Sequence, residues 1–311
     1  MTYASGGLIQ ASDFNNIVGA SAGTQGGGTQ LNPVWSTGQG NYGYGQTAVS
    51  NVSVSGTVAA TNWASLVNTL NSARIHQSGS GSGISAPTAG TTVTFLSTLT
   101  SAVSTAATNR LSAATTGTTT SSTKSTTLNA AAGVSATGTI TFTITFGSGV
   151  DATRYFFNAG GSILIEQVVF TNTGGTSRGA SIGTLASTNF SSKRLNAASY
   201  GARAGSGGTL VTDTTTGGYY GLTTTPTQMF RVNSTSYYTG DFLSINYSTN
   251  GTAGSYGANG NVLTITITLF SATTGSTQPA DSINVTDQIT CTVRYPETTN
   301  LTNTWGTATI T

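Results

Sequence analysis

Apolar and polar positions follow two different periods along this chain, and the change of period divides it. Between Thr139 and Phe146 every second residue is apolar: Ile140, Phe142, Ile144 and Phe146 alternate with threonines. A two-residue period puts the apolar side chains on one face of a strand and the hydroxyls on the other. Val262 to Leu269 repeats the alternation. Ile163–Phe170 is apolar enough for a central strand. Met229–Val232, Phe242–Tyr247 and Ile289–Tyr295 add further strands, with Ile310 closing the sheet. Asn250-Gly251 and Asn259-Gly260 are dipeptides suited to turns with positive φ. This succession of strands and turns predicts a mainly β protein, with an antiparallel β-sandwich over residues 138–311.

Upstream the period is three to four. Trp63, Leu66, Val67, Leu70 and Arg74 predict a helix over 61–76, with Thr61 or Asn62 as N-cap and Gly79 ending it. Phe95, Leu96, Leu99, Val103, Ala106 and Ala107 predict a second helix within about 92–112. The pair resembles an αα-hairpin, its faces packed together or onto a partner. Phe190, Leu195 and Tyr200 mark a short helix in 187–203. Residues 115–137, TTGTTTSSTKSTTLNAAAGVSAT, hold little to anchor a core and read as a low-complexity linker. Residues 1–60 read as an extended arm, with one helical turn capped by Ser12 or Asp13 through Phe14, Ile17 and Val18. Trp35, Tyr42 and Tyr44 stand among glycines and cannot build a core alone, so they are expected to dock on a neighbouring surface. Trp63, Leu66 and Leu70 on the first long helix are expected to join them as assembly contacts. The expected units are therefore 1–60, 61–114, 115–137 and 138–311.

Composition sharpens this picture. Charged residues make up 6% of 311, against about 25% in a typical domain. Disordered chains usually carry high net charge and few aromatics. This chain has a formal net charge of +2, with 12 Tyr, 11 Phe and 3 Trp that need a core or an interface. A neutral, hydroxyl-rich exterior offers little charge repulsion between copies, which favours a homo-oligomer. The small excess of arginine forms no basic patch, which argues against nucleic acid. No apolar run is long enough to insert in a membrane as a helix. The first residues, MTYASGGLIQASDF, lack the features of a signal peptide, which predicts synthesis in a reducing cytoplasm and exit by another route such as lysis.

Candidate chemistry is thin, and no enzyme activity and no cofactor are expected. His76 is the single histidine, so any Ser-His-Asp triad must use it; its position near a helix end suits capping of the last carbonyls, and a capping or packing role is expected. Gly-x-Ser-x-Gly occurs at 19–23, 175–179 and 179–183, none of them between a strand and a helix as a nucleophile elbow requires. Gly38 to Gly43 matches G-x-G-x-x-G without the flanking strand and helix of a phosphate cradle. Eight carboxylates are scattered, and Glu166 stands inside an apolar strand, either exposed or paired with an arginine such as Arg154. One His, one Cys and dispersed acids argue against a metal site. Cys291 reads as a small buried hydrophobe. Tyr219-Tyr220, Tyr237-Tyr238 and Tyr256 sit in turn-like segments where exposed rings would recognise sugars.

Two regions carry a resemblance. Arg154-Tyr155-Phe156-Phe157-Asn158-Ala159-Gly160-Gly161 resembles the RYFFN-x-GG motif of structural proteins in tailed phages, notably cyanophages and other marine phages. Trp35-Ser36-Thr37-Gly38 followed by Tyr42-Gly43-Tyr44-Gly45-Gln46, and the segment from Asn62-Trp63 to Ser78-Gly79, resemble the N-terminal region of the same proteins. The resemblance spans roughly residues 1–170 and is looser beyond. It implies a virion subunit of the neck, tail or an appendage or fibre, assembling with its own copies and other virion proteins, with no catalytic residues to carry over. The alternative is a receptor-binding tail-fibre module that recognises host surface glycans. Read physically, Tyr155 to Phe157 form an aromatic block entering the Ile163 strand, Gly160-Gly161 supply the turn, and Arg154 faces Glu166 across the hairpin.

Overall fold

The change of period near residue 115 is a change of architecture: a helical region gives way to two antiparallel sheets. The computed structural model describes residues 9–20, 29–235, 238–273 and 281–311. The helical region holds α1 (Ala11–Val18), α2 (Asn32–Trp35), α3 (Ala60–Ser78) and α4 (Leu96–Thr108). Next come β1 (Thr116–Ala130), β2 (Ala136–Phe146), α5 (Ala152–Asn158) and β3 (Ser162–Asn172). α6 (Ser177–Gly183) runs into a π-helical segment, Thr184–Phe190, and is followed by β4 (Ser192–Leu195) and β5 (Thr209–Asp213). A 3₁₀ turn, Gly218–Gly221, leads to β6 (Thr227–Asn233), β7 (Phe242–Thr249), β8 (Val262–Ser271), β9 (Ile283–Pro296) and β10 (Ala308–Ile310). The chain is 32% strand and 24% helix, so the expected mainly β class is corrected to a mixed one.

One sheet runs β1-β9-β3-β4 and the other β10-β2-β8-β7-β6-β5. β2 and β8, the two alternating segments, are direct neighbours, with Ile140 opposite Ile267 and Phe142 opposite Ile265. Ile140, Phe142, Ile144 and Phe146 are all buried, as are Ile283, Val285, Ile289, Cys291 and Val293 on β9 of the other sheet. These two sets belong to one apolar cluster, so the sheets share a core. The dipeptides Asn250-Gly251 and Asn259-Gly260 shape a single β7–β8 connection, whose base is closed by Asn250 Oδ1 accepting from the N–H groups of Asn261 and Val262, each at 2.9 Å.

A second apolar cluster builds the helical region. Phe14, Ile17 and Val18 of α1 pack with Trp63, Leu66, Val67 and Leu70 of α3 and with Leu99, Val103 and Ala106 of α4. Phe14 meets Trp63 edge to face at 5.1 Å. The described part of residues 1–60 is therefore not an extended arm, because Phe14, Ile17, Val18, Leu31 and Val49 join the cluster of α3 and α4 while Val34 and Tyr44 join the core of the sheets. Asp13 does not cap α1 as a first residue; it sits one turn in, and its carboxylate accepts from the Gln10 N–H at 3.0 Å.

The expected linker at 115–137 is also corrected. Most of it is β1, paired with β9 from Thr116 to Ala130. Threonine and serine are too small and polar to anchor a core, yet they suit an edge strand whose outer face meets water. Only Leu128 of β1 is fully buried, while Ser121, Thr123 and Thr127 hydroxyls meet those of Thr292, Thr290 and Thr286 at 2.8, 2.7 and 3.3 Å. The helix expected in 187–203 is short and early: the π-helical segment ends at Phe190, and Leu195 ends β4.

Hydrogen exchange separates a paired strand from a linker. Amides of 119–130 that face β9 are expected to exchange far more slowly than the loop amides around Gly133. Uniformly fast exchange through 119–130 would contradict the pairing.

Candidate functional site: a buried polar junction

α5 is covered on its apolar side and must also satisfy a polar one. Phe157 stacks on Tyr219 at 4.6 Å, and Phe156 packs against Phe146 at 4.7 Å. Arg154 and Asn158, four residues apart, share the remaining face. Both are fully buried. A buried guanidinium or amide without partners is costly, so the partners decide whether this helix can form here.

Backbone carbonyls of the segment 36–45 supply them. Arg154 donates from Nη1 to Tyr42 O and from Nη2 to Thr37 O, each at 2.6 Å. Asn158 Nδ2 donates to Tyr42 O and Gly43 O, both at 3.0 Å. Its Oδ1 accepts from the Tyr220 hydroxyl at 2.5 Å. Asp151 Oδ1 lies 3.8 Å from Arg154 Nε and supplies the counter-charge. The segment can present its carbonyls inward only by turning tightly. Gly43 has φ +95°, and a Cβ there would fall 2.3 Å from Thr37 O. The G-x-G-x-x-G letters thus encode a loop whose carbonyls face a cation, the reverse of a cradle that points N–H groups at a phosphate.

The same segment reaches three further elements. Tyr44 is buried; its hydroxyl donates to Arg110 O at 2.9 Å and accepts from Gln77 Nε2 of α3 at 2.7 Å. Gln46 bonds Thr302 in both directions, each at 2.8 Å. Arg110, just beyond α4, donates to Asn41 O at 3.0 Å and lies 4.1 Å over the Tyr42 ring. Beside them His76 Nε2 donates to Ala159 O at 3.0 Å, and Nδ1 lies 3.1 Å from Glu297 Oε1. Of the capping or packing roles expected for His76, the ring takes the second: it is buried and links α3 to the end of α5 and to the C-terminal segment.

The sequence-nominated residues sort as follows. Trp63, Leu66, Leu70 and Tyr44 are buried within this chain and present no surface to a neighbour. Trp35 and Tyr42 are half-buried, and Trp35 donates from its indole N–H to Thr47 O at 2.9 Å. Tyr155 is half-buried beside Arg154, and Gly160 takes φ +87° after α5. A Cβ on Gly161 would fall 2.6 Å from the Phe156 ring. The aromatic block is thus a helix and not a strand, because its rings pack in two directions around a helical turn. The Arg154–Glu166 pair does not form: Glu166 is exposed on β3. Among the serine motifs, Ser181 is buried against the Ser234 hydroxyl at 3.0 Å, and the 19–23 match runs into residues outside the described ones. Of the tyrosines, Tyr219 and Tyr238 are buried, Tyr220 is half-buried and tied to Asn158, Tyr237 lies outside the described residues, and Tyr256 is exposed. The signal that sequence reasoning missed was the four-residue spacing of Arg154 and Asn158 on a helix.

Three buried carboxyls give the molecule a pH signature. Burial pushes Asp241 and Asp287 up to about 6 each, against hydrogen bonds from Ala272, Ser181 and Ser271 for the first and from Gln167 and Gln288 for the second. Burial also raises Glu297, but hydrogen bonds from Asn300, His76 and Thr299 outweigh it and hold the group at about 2. Below its unfolded value Glu297 progressively loses its stabilising role as pH falls towards 2. The two aspartates act oppositely. Folded, they hold protons that the unfolded chain releases, so stability declines as pH rises from about 4 to about 6.

Thermal melts are therefore expected to be highest near pH 4 to 5 and lower at pH 7. Asp287→Asn should raise the melting temperature at pH 7 while changing it little at pH 4. No pH-dependent difference would refute the assignment. At the junction, Arg154→Ala removes the guanidinium donor from the Thr37 carbonyl and leaves the Tyr42 carbonyl to Asn158 alone, and should cost about 3 kcal/mol in urea unfolding. Because Arg154 and Asn158 share the Tyr42 carbonyl, Arg154→Ala and Asn158→Ala are expected to be non-additive by about 1 kcal/mol in a double-mutant cycle.

Comparison of the chain with protein-family models, with curated proteins and with solved structures returns no match.

Proposed function

We propose that this chain is a structural subunit of a tailed-phage virion, in the neck, tail or an appendage or fibre, working by association with its own copies and with other virion proteins. One observation carries the reading. The segments that bear the resemblance, Trp35 to Gln46, α3 and the RYFFN helix α5, interlock at one junction through Arg154, Asn158, Tyr44 and Gln77. Segments that depend on one another physically support a shared architecture better than scattered letter matches do. The donors of Arg154 and Asn158 there go chiefly to backbone carbonyls, which suits a framework role. In this reading the two sheets act as a β-sandwich, and the threonine-rich four-stranded sheet meets neighbours. Such a subunit would be made in the host cytoplasm and reach the outside in particles released by lysis.

A second reading, recognition of host glycans, is favoured by Tyr256, whose ring is 47% exposed on the β7–β8 connection. Glycan-array binding abolished by Tyr256→Ala would favour it over scaffolding.

Light scattering on the purified full chain tests the leading proposal. A mass above that of one chain, rising with concentration or fixed at a small multiple, is expected. A chain that remains monomeric at the highest attainable concentration would contradict association with its own copies.

A further inference from the structure

We propose that two copies of this chain pair strand to strand along the free edge of β1, about a twofold axis; this names the partner surface for the self-association proposed above. β1 is 15 residues long and stands at the edge of its sheet. Among the described residues it pairs with β9 alone. In an antiparallel ladder about half of its N–H and C=O groups therefore face away from β9. Such an edge is a template for another strand, and proteins usually blunt it with proline, a bulge, a charge or shortness.

β1 has none of these defences where they would act. It contains no proline, and its one register irregularity lies between Thr116 and Thr119, which leaves Thr119 to Ala130 regular. Its single charge is turned aside: Lys124 Nζ donates to Thr141 O of β2 at 2.6 Å and lies 5.6 Å from the Phe142 ring. The other sheet edges are short, with four residues in β4, five in β5 and three in β10. β2 is shielded by β1 itself, since a Cβ on Gly138 would fall 2.6 Å from Leu128 Cδ1 and 2.8 Å from Thr126 Oγ1.

The chemistry of the edge fits a second copy. Antiparallel pairing centred on Thr123 sets Ser121 opposite Ser125 and Thr119 opposite Thr127 on the outer face. Lys124 then stands opposite Ser122, so no like charges meet. Hydroxyl pairs of this kind already bridge β1 to β9, as between Ser121 and Thr292 at 2.8 Å. The regular part of the strand spans about 40 Å at about 3.3 Å per residue. With a sheet roughly 10 Å thick, the edges cover on the order of 800 Å² in total, at the weak end of specific interfaces. The dimer is accordingly expected to dissociate on dilution.

Sedimentation velocity over a concentration series tests this with the full chain and two variants. Thr123→Lys sets an ammonium opposite its own copy. Thr290→Lys places the same charge on the same face, one strand inward on β9. The expected results are a concentration-dependent dimer for the unaltered chain, dimerisation weakened by about tenfold or more in Thr123→Lys, and little change in Thr290→Lys. Thermal melts of dilute samples check that both variants fold. Hydrogen exchange on the unaltered chain gives a readout free of any variant: amides of 119–130 that are fast when dilute should gain protection when concentrated. An oligomer undiminished in Thr123→Lys, with no such protection, overturns the β1 edge and leaves self-association standing. Equal loss in both variants overturns it in favour of stacked faces. A chain monomeric at every concentration overturns both.

Discussion

A buried arginine sets the terms for the whole molecule. Arg154 has no access to water, and its guanidinium carries more donors than any single acceptor can occupy. It is tolerable only if a loop brings carbonyls to it, and the loop can do so only by turning at glycines where a side chain would strike backbone. Asn158 completes the set from the next turn of the same helix. The segment 36–46 is thus fixed from one side, and its other side becomes a platform for Tyr44, Gln77 and Thr302. Helical region, α5 and C-terminal segment meet there because the carbonyls and side chains of that one loop bond to all three.

This constraint also explains which parts were legible in the sequence. Period alone located β2 and β8, since Ile140 to Phe146 and Val262 to Leu269 alternate against a buried core. It located α3 and α4 for the same reason. It failed for β1, whose stability comes from the ladder with β9 and from cross-strand hydroxyls, neither of which leaves an apolar pattern. It failed for α5, where Tyr155, Phe156 and Phe157 looked like a strand because three consecutive rings carry no helical period. The junction was half legible. Both of its motifs were noticed, but their meeting is a long-range fact that no local signal encodes.

The scarcity of charge takes on a structural meaning as well. Several of the few charges lie inside: Arg154, Arg178, Lys193, Asp241 and Asp287 are buried. Arg178, for instance, donates to the carbonyls of Val134, Ser271 and Asp281, tying loops together as Arg154 does. Charges here act mainly as multi-donor staples for backbone, and the exterior is left to hydroxyls. A surface so composed offers shape and backbone groups, with little charge for electrostatic steering to act on.

The junction imposes an order on how the chain folds. Arg154 contacts a carbonyl 117 residues upstream, and Gln46 bonds a residue 256 positions downstream. Contacts of such separation form late, because loop closure must precede them. While the ribosome is still adding residues, α1, α3 and α4 can collapse on one another, but the glycine loop beside them has no lock. Gln46 can close on Thr302 only after that residue has emerged, so this contact follows those that Arg154 and Asn158 make with the same loop. The junction thus closes in stages, set by the order in which its partners leave the ribosome.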